Sequence, residues 1–218
     1  MYHAVEVVDE DPHALCVPPE RFEAQMAWLA RRGWRGMSVR ELLEMDAGAG
    51  ARAVGLTFDD GYASFGSTVV PVLQRAGFTA TVYISSAHVG GHNTWDAAPR
   101  LGLMGADELV DVHSRGMEVG SHAVHHHPLT TLGADERLRE LSDSLQALSD
   151  ILGWRVQGLS YPYGDADRDL ARQARSAGYT YAVAAKQGDR GDRWLLPRRY
   201  VGAADNGLRL TAKLALSP

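Results

Sequence analysis

One cysteine, Cys16, in 218 residues excludes an internal disulfide framework, because a bridge needs two. It lies in a polar, Pro-rich stretch and is read as incidental. No apolar run approaches the roughly 20 residues that a membrane-spanning helix requires. No basic stripe follows any element, and 22 Lys+Arg against 27 Asp+Glu give a net charge of -5, so the footprint of a nucleic-acid binder is missing. The chain opens Met1-Tyr2-His3-Ala4-Val5 without a basic segment followed by an apolar one. The sequence as it stands therefore carries no secretion signal, and the expectation is a soluble, cytoplasmic protein. No shift of composition divides the chain, whose length suits a single domain over 1–218. Nothing in the composition sets an oligomeric state.

What is present is alternation of strand and helix patterns. Strands are expected over Tyr2 to Val8, at Ala53-Val54-Gly55-Leu56, over Phe78 to Ile84, at Met117 to Gly120, over Arg155 to Ser160 and over Tyr179 to Ala185. Between them, Pro18-Pro19-Glu20 opens a helix that Gly33 stops, and Ser38 to Glu41 is a capping box. Asp46 to Arg52 reads as a Gly/Ala-rich surface loop. Phe65 to Ala76 is a helix in which Pro71 must sit in the first turn or kink it. Leu138, Leu141, Leu145, Leu148 and Ile151 form a clean apolar stripe over a helix at 134–152. Helices are also expected at Ala106 to Arg115 and Asp167 to Ala177. Five or six βαβ units in this order predict an α/β fold with a parallel sheet that closes, or nearly closes, into a barrel. The unpatterned stretch from Ser85 to Arg100, with His88, His92 and Trp95, is long enough to wall a site.

Two stretches carry chemistry. Leu56-Thr57-Phe58-Asp59-Asp60-Gly61 ends an apolar strand with two adjacent carboxylates. Such a pair suits a site where one acid holds a metal and the other takes a proton, although the same residues also make an ordinary Asp-Asp-Gly turn. Gly120-Ser121-His122-Ala123-Val124-His125-His126-His127-Pro128 places four histidines within six positions at another strand end. That density suits a metal that favours imidazole; a polar loop or a pH-sensitive cluster would use the same residues. If both stretches lie at C-terminal strand ends, they converge on one face of a barrel.

Thr57-Phe58-Asp59-Asp60-Gly61 resembles the first motif of the polysaccharide deacetylase (NodB-homology) family, carbohydrate esterase family 4. Ser121-His122 with His126 resembles its second, and Tyr161-Pro162-Tyr163-Gly164 its third. The resemblance covers Tyr2 to about Val201, and the order and spacing of three motifs make it specific. It implies a distorted or incomplete (β/α)7 barrel of NodB-homology type. The implied enzyme is a metal-dependent hydrolase that removes acetyl from an N-acetylated amino sugar. By the same resemblance Asp59 is the general base, and Asp60, His122 and His126 bind a divalent metal, most often Zn2+, with Co2+ or Ni2+ as substitutes. The backbone N–H of Tyr163 would stabilise the oxyanion. Pro162, Tyr163, Trp95 and His127 would line the sugar.

The sequence also departs from the family pattern. No histidine follows Val201, whereas the family usually draws its general acid from a late Leu-x-His. The branch that begins with a Tyr-His-x-Val strand takes the acid from that histidine, which here is His3. Ser160 stands where the third motif usually has arginine, and Arg198 of Leu196-Pro197-Arg198-Arg199 fits the role of orienting Asp59. Ala123 replaces the hydroxyl residue after the first histidine, removing a group that steadies the metal loop.

The missing export segment favours a small or glycoconjugate substrate over a surface polysaccharide. A related amidase or cyclic amide hydrolase on the same fold is the alternative enzyme, against which the retained Asp60, His122 and His126 argue. A binding module that has lost its chemistry would have no use for Asp59.

Overall fold

Helix α1, Pro19–Arg31, begins with Pro19 at a position whose N–H would have no helical partner, and it buries Phe22, Met26 and Leu29. Strand β1, Trp34–Met37, leads to the short helix α2, Val39–Glu44, which starts on the capping box of Ser38 and Glu41. Strand β2, Arg52–Gly55, pairs in parallel with β1 as a separate two-stranded sheet. The chain then alternates through β3 (Thr57–Phe58), α3 (Val70–Ala76), β4 (Thr81–Ile84), α4 (Ala106–Ser114) and β5 (Glu118–Ser121). It continues through α5 (Ala134–Leu152), β6 (Gly158–Ser160), α6 (Arg168–Ala177), β7 (Tyr181–Ala184), β8 (Leu196–Pro197) and α7 (Gly207–Ala215). These elements belong to a computed structural model that describes residues 1–45, 52–95, 97, 99–186 and 188–215. Apart from Arg52, the expected loop at 46–52 lies outside them.

Strands β3 to β8 form one six-stranded parallel sheet in sequence order, curled with helices on its outer side as an incomplete barrel. The core lies between the sheet and these helices, where Phe58, Val82, Leu109, Leu141 and Leu170 are buried. Tyr83 and Tyr181 are fully buried on the strands. A Cβ on Gly158 would fall 2.2 Å from the Tyr181 hydroxyl, so glycine leaves the space that the ring occupies. Between the last and first strands, Tyr2 donates its N–H to Thr57 O at 2.8 Å and accepts from Asp59 N at 3.0 Å. Met1 O accepts from Val201 N at 2.9 Å. Residues 1–2 thus run between β3 and the stretch after β8, through a few bonds rather than a ladder.

Several elements differ from expectation. The strand expected over Tyr2 to Val8 makes only isolated bridges, Tyr2 with Phe58 and Ala4 with Cys16, and Val7 is exposed. Cys16 is buried at that bridge rather than in an open loop. The single strand expected before Asp59 is divided at Leu56, which donates to Met37 O on β1 and accepts from Thr81 N on β4, so the chain changes sheets there. In the helix expected at Phe65 to Ala76, residues Phe65–Val69 form a wider π turn ahead of α3. That turn accommodates Pro71, whose ring would press on a carbonyl of a regular preceding turn. The stripe on α5 buries Leu141, Leu145 and Leu148, but Leu138 is exposed while Glu140 and Ser144 are buried. Among the described residues no helix is long and apolar enough to cross a membrane.

Candidate active site

Parallel strands put all their C-terminal ends on one face, and the loops there gather residues distant in sequence. Asp59 and Asp60 follow β3, His122 follows β5, Ser160 ends β6 and Arg198 follows β8. Five non-glycine residues among those described have left-handed φ. Four of them, Asp60, Ala123, His126 and Tyr163, belong to these loops. Strained backbone of this kind persists where surrounding contacts fix it, and it concentrates at functional sites.

Asp59 is buried and meets Arg198 in a two-pronged pair, Nη1 to Oδ1 at 2.6 Å and Nη2 to Oδ2 at 2.8 Å. The guanidinium also donates to Ser160 Oγ at 2.9 Å and Thr57 Oγ1 at 3.3 Å, and it lies 5.7 Å from the Tyr83 ring centre. Burial pushes the Asp59 carboxyl upward, yet Arg198, with His122, outweighs it and holds the group at about 2. Ser160, where the family motif usually has arginine, thus helps to seat an arginine supplied by another strand end.

Asp60, His122 and His126 converge. Asp60 Oδ1 lies 3.4 Å from His122 Nε2 and 3.2 Å from His126 Nε2, and all three side chains are buried. His122 Nδ1 sits 2.7 Å from Ser160 O, which accepts its proton and turns Nε2 toward Asp60. Asp60 Oδ1 is buried without an aligned hydrogen-bond donor. A buried carboxylate oxygen facing two imidazole nitrogens suits a cation, and an Asp-His-His set is a donor chemistry suited to zinc with open positions. The residues present therefore fit a divalent metal.

His3, Trp95 and Tyr163 lie beside this pair of clusters, whereas the ring contact of His127 is with His125. His3 has a buried Nδ1 without a hydrogen-bond partner; burial holds its pKa below the ordinary imidazole value, while Asp60 and Asp59 pull it upward. Trp95 stacks on His126 with ring centres 4.2 Å apart and planes 15° apart, so one of its faces is occupied by a candidate ligand. Tyr163 approaches the same imidazole edge-on at 4.8 Å and is 43% exposed, beside the buried Pro162. His127 is exposed and stacks on His125 at 5.5 Å. His88 meets Trp95 in an edge geometry with ring centres 5.0 Å apart.

Sequence reasoning missed Glu140. This buried carboxylate on α5 accepts hydrogen bonds from Val124 N and His125 N, both at 2.9 Å, and lies 2.5 Å from His125 Nδ1. Its only signal in the sequence is its place beside the apolar stripe at helical spacing from Ser144.

The polysaccharide deacetylase family model matches residues 46–182. A *Bacillus subtilis* protein named as a polysaccharide deacetylase, YxkH, is 25% identical over 191 residues, 86% of this chain and 64% of its own length. The poly-beta-1,6-N-acetyl-D-glucosamine N-deacetylase of *Escherichia coli* K12 is 32% identical over 143 residues, 58% of this chain and 20% of that protein. The chain thus spans less than two thirds of the length of these relatives. Among solved structures, the *Streptococcus pyogenes* deacetylase PplD in complex with acetate superposes with a TM-score of 0.83 at 22% identity, covering 98% of this chain and 95% of that one. IcaB from *Ammonifex degensii* gives 0.81 at 20% identity, covering 98% and 94%. The shared architecture of these structures and the span of the matched model agree: the chain belongs to the polysaccharide deacetylase family, the NodB-homology carbohydrate esterases.

Proposed function

We propose that the chain is a metal-dependent N-deacetylase that hydrolyses the acetamide of an N-acetylated amino sugar. The observation that carries this reading is the juxtaposition of two differently served carboxylates, Asp59 on Arg198 and Asp60 on two imidazoles. Adjacent acids with separate partners can take separate roles.

Asp60, His122 and His126 would hold the metal, which when bound supplies electrophilic activation of an amide carbonyl and of water. Asp59 would orient the attacking water and accept its proton. A carboxyl held at about 2 is a weak base, so Arg198 serves chiefly to keep it charged and aimed. His3 enters as a neutral imidazole, because burial disfavours its cation. The proton that Asp59 takes from water would pass to His3, which would deliver it to the leaving amine. The Tyr163 N–H, on its left-handed turn, would donate to the developing oxyanion. The exposed Tyr163 ring, Pro162, Trp95 and His127 would form the sugar-facing wall.

The *Escherichia coli* relative is named for β-1,6-linked N-acetylglucosamine polymer, so oligomers of that linkage are the first substrate to test. Small N-acetylated amino-sugar conjugates are the second class to test. Acetate release is measured from both with zinc added and with a chelator. Chelator-sensitive release is the expected result, and the better substrate decides between polymer and small molecule. Zinc-loaded protein that releases acetate from no member of the panel overturns the deacetylase reading.

A further inference from the structure

The loop joining His122 to His126 is strained, with left-handed φ of 62° at Ala123 and 60° at His126. Each such residue carries a cost that neighbouring contacts must offset. On its carbonyl side the loop is held by the turn at 85–87. Ser86 N donates to Ala123 O at 3.1 Å, Ala87 N donates to Val124 O at 3.0 Å, and Ser85 Oγ donates to Val124 O at 2.8 Å.

On its N–H side the loop is held from α5. Glu140 Oε2 accepts from Val124 N and His125 N, and Oε1 accepts from His125 Nδ1. One helical turn later, Ser144 Oγ lies 2.8 Å from Ser121 Oγ, which accepts from Ala123 N at 3.1 Å. Three successive loop N–H groups are therefore tied, directly or through one hydroxyl, to one face of one helix. Burial pushes the Glu140 carboxyl upward, but His125 and the two backbone donors outweigh it and keep it ionised.

We propose that Glu140 is a positioning residue for the metal site. By taking the N–H groups of Val124 and His125 it fixes where His126 stands relative to His122 and Asp60. It thereby replaces the steadying hydroxyl that Ala123 lacks. This inference rests on the metal reading of Asp60, His122 and His126 given above. Outer contacts of this kind set metal affinity through the placement of the ligands.

The test measures zinc affinity and stoichiometry of the full chain by competition with a chromogenic chelator, together with the melting temperature of metal-free protein. Wild type is expected to bind one zinc, and Asp60→Ala to lose it. Glu140→Ala is expected to weaken zinc binding by about 10- to 100-fold. Glu140→Asp keeps the charge but is one methylene short of the loop, so it falls on the same side. Glu140→Gln stays close to wild type, because its carbonyl oxygen still accepts both N–H groups.

If Glu140→Ala melts lower yet binds zinc as tightly as wild type, Glu140 is purely structural and the inference fails while the metal site stands. Should that variant not fold, unchanged affinity in Glu140→Asp has the same meaning. His125, His127 and Glu140 also cluster as possible ligands. Two zinc ions in wild type with one lost in Glu140→Ala would overturn the positioning role in favour of a second metal site. No zinc bound by wild type removes the metal reading itself, and this inference with it.

Discussion

Asp59 and Arg198 are 139 residues apart in sequence and meet as a buried, two-pronged ion pair. Removing one partner of such a pair leaves the other charge stranded, which costs about 3–5 kcal/mol. Arg198→Met is therefore expected to lower the melting temperature by on the order of 10 °C. Asp59→Asn removes the negative partner, and the double variant Asp59→Asn/Arg198→Met should recover part of the loss, a coupling readable in a double-mutant cycle. Full additivity of the two losses would show that the pair is not an energetic unit. For catalysis, Asp59→Asn is expected to cut turnover by about 10²- to 10⁴-fold with one zinc still bound. Survival of turnover would dismiss Asp59 as the base. Because its folded pKa lies below the unfolded value, the Asp59 contribution to stability is present above about pH 4 and is lost as pH falls toward about 2. At this scale Asp59, Asp60, His122 and His126 stood out in the sequence through motif and spacing. The double service of Ser160, hydroxyl to Arg198 and carbonyl to His122, did not. Backbone acceptors carry no residue-type signature.

The turn Pro162–Gly164 shows how an element, rather than a residue, builds part of the site. Gly164 O accepts from Ala185 N at 3.1 Å and Lys186 N at 3.0 Å, which clamps the turn to the end of β7. Gly164 has φ of +63°, and a Cβ there would lie 2.3 Å from Ala185 Cβ. Gly164→Ala thus combines left-handed strain with overpacking and is expected to cost about 1–3 kcal/mol. The turn should shift, so turnover falls more than zinc affinity, because Tyr163 touches His126 through its ring but the turn supplies no ligand. Equal loss of both would instead indicate a general collapse of the face. Element by element, helices α1 to α6 were the legible part, while α7 was not expected. The capping box at Ser38 and the stripe of α5 rest on local periodicity, which sequence displays directly. Strand β1 and the change of sheets at Leu56 were not legible, because a few residues of strand pattern do not specify a partner strand. Glu140 was hidden for a related reason: a carboxylate in a charged helix reads as solvent-facing until the loop it ties is in place.

At the scale of the whole molecule, the parallel sheet encloses polar as well as apolar groups. Glu118 on β5 is buried, and its Oε2 accepts from Thr81 Oγ1 at 2.7 Å and Arg40 N at 3.1 Å, while Oε1 has no hydrogen-bond partner. Nearby, Tyr83 and Tyr181 are joined hydroxyl to hydroxyl at 3.3 Å. Alternating strands and helices announced a curled parallel sheet, but nothing in the sequence marked Glu118 as one of its buried charges. Burial raises its pKa, and the hydrogen bonds from Thr81, Arg40 and Tyr181 only partly oppose that rise. A carboxyl with a raised folded pKa binds its proton more tightly in the folded chain than in the unfolded one. Its favourable contribution is complete below the unfolded value of about 4.3 and is lost as pH rises through the folded value. Above the folded value the protein therefore carries an imperfectly served buried charge. Glu118→Gln keeps an acceptor for Thr81 and Arg40 and cannot ionise, so it should melt higher than wild type at pH 8. The difference should shrink as pH is lowered from 8 toward 5 and wild type approaches the folded value from above. Melting curves of both proteins across that range decide the matter. A Glu118→Gln variant less stable at pH 8 than at pH 5, relative to wild type, would mean that ionised Glu118 is held favourably and that its hydrogen bonds outweigh burial.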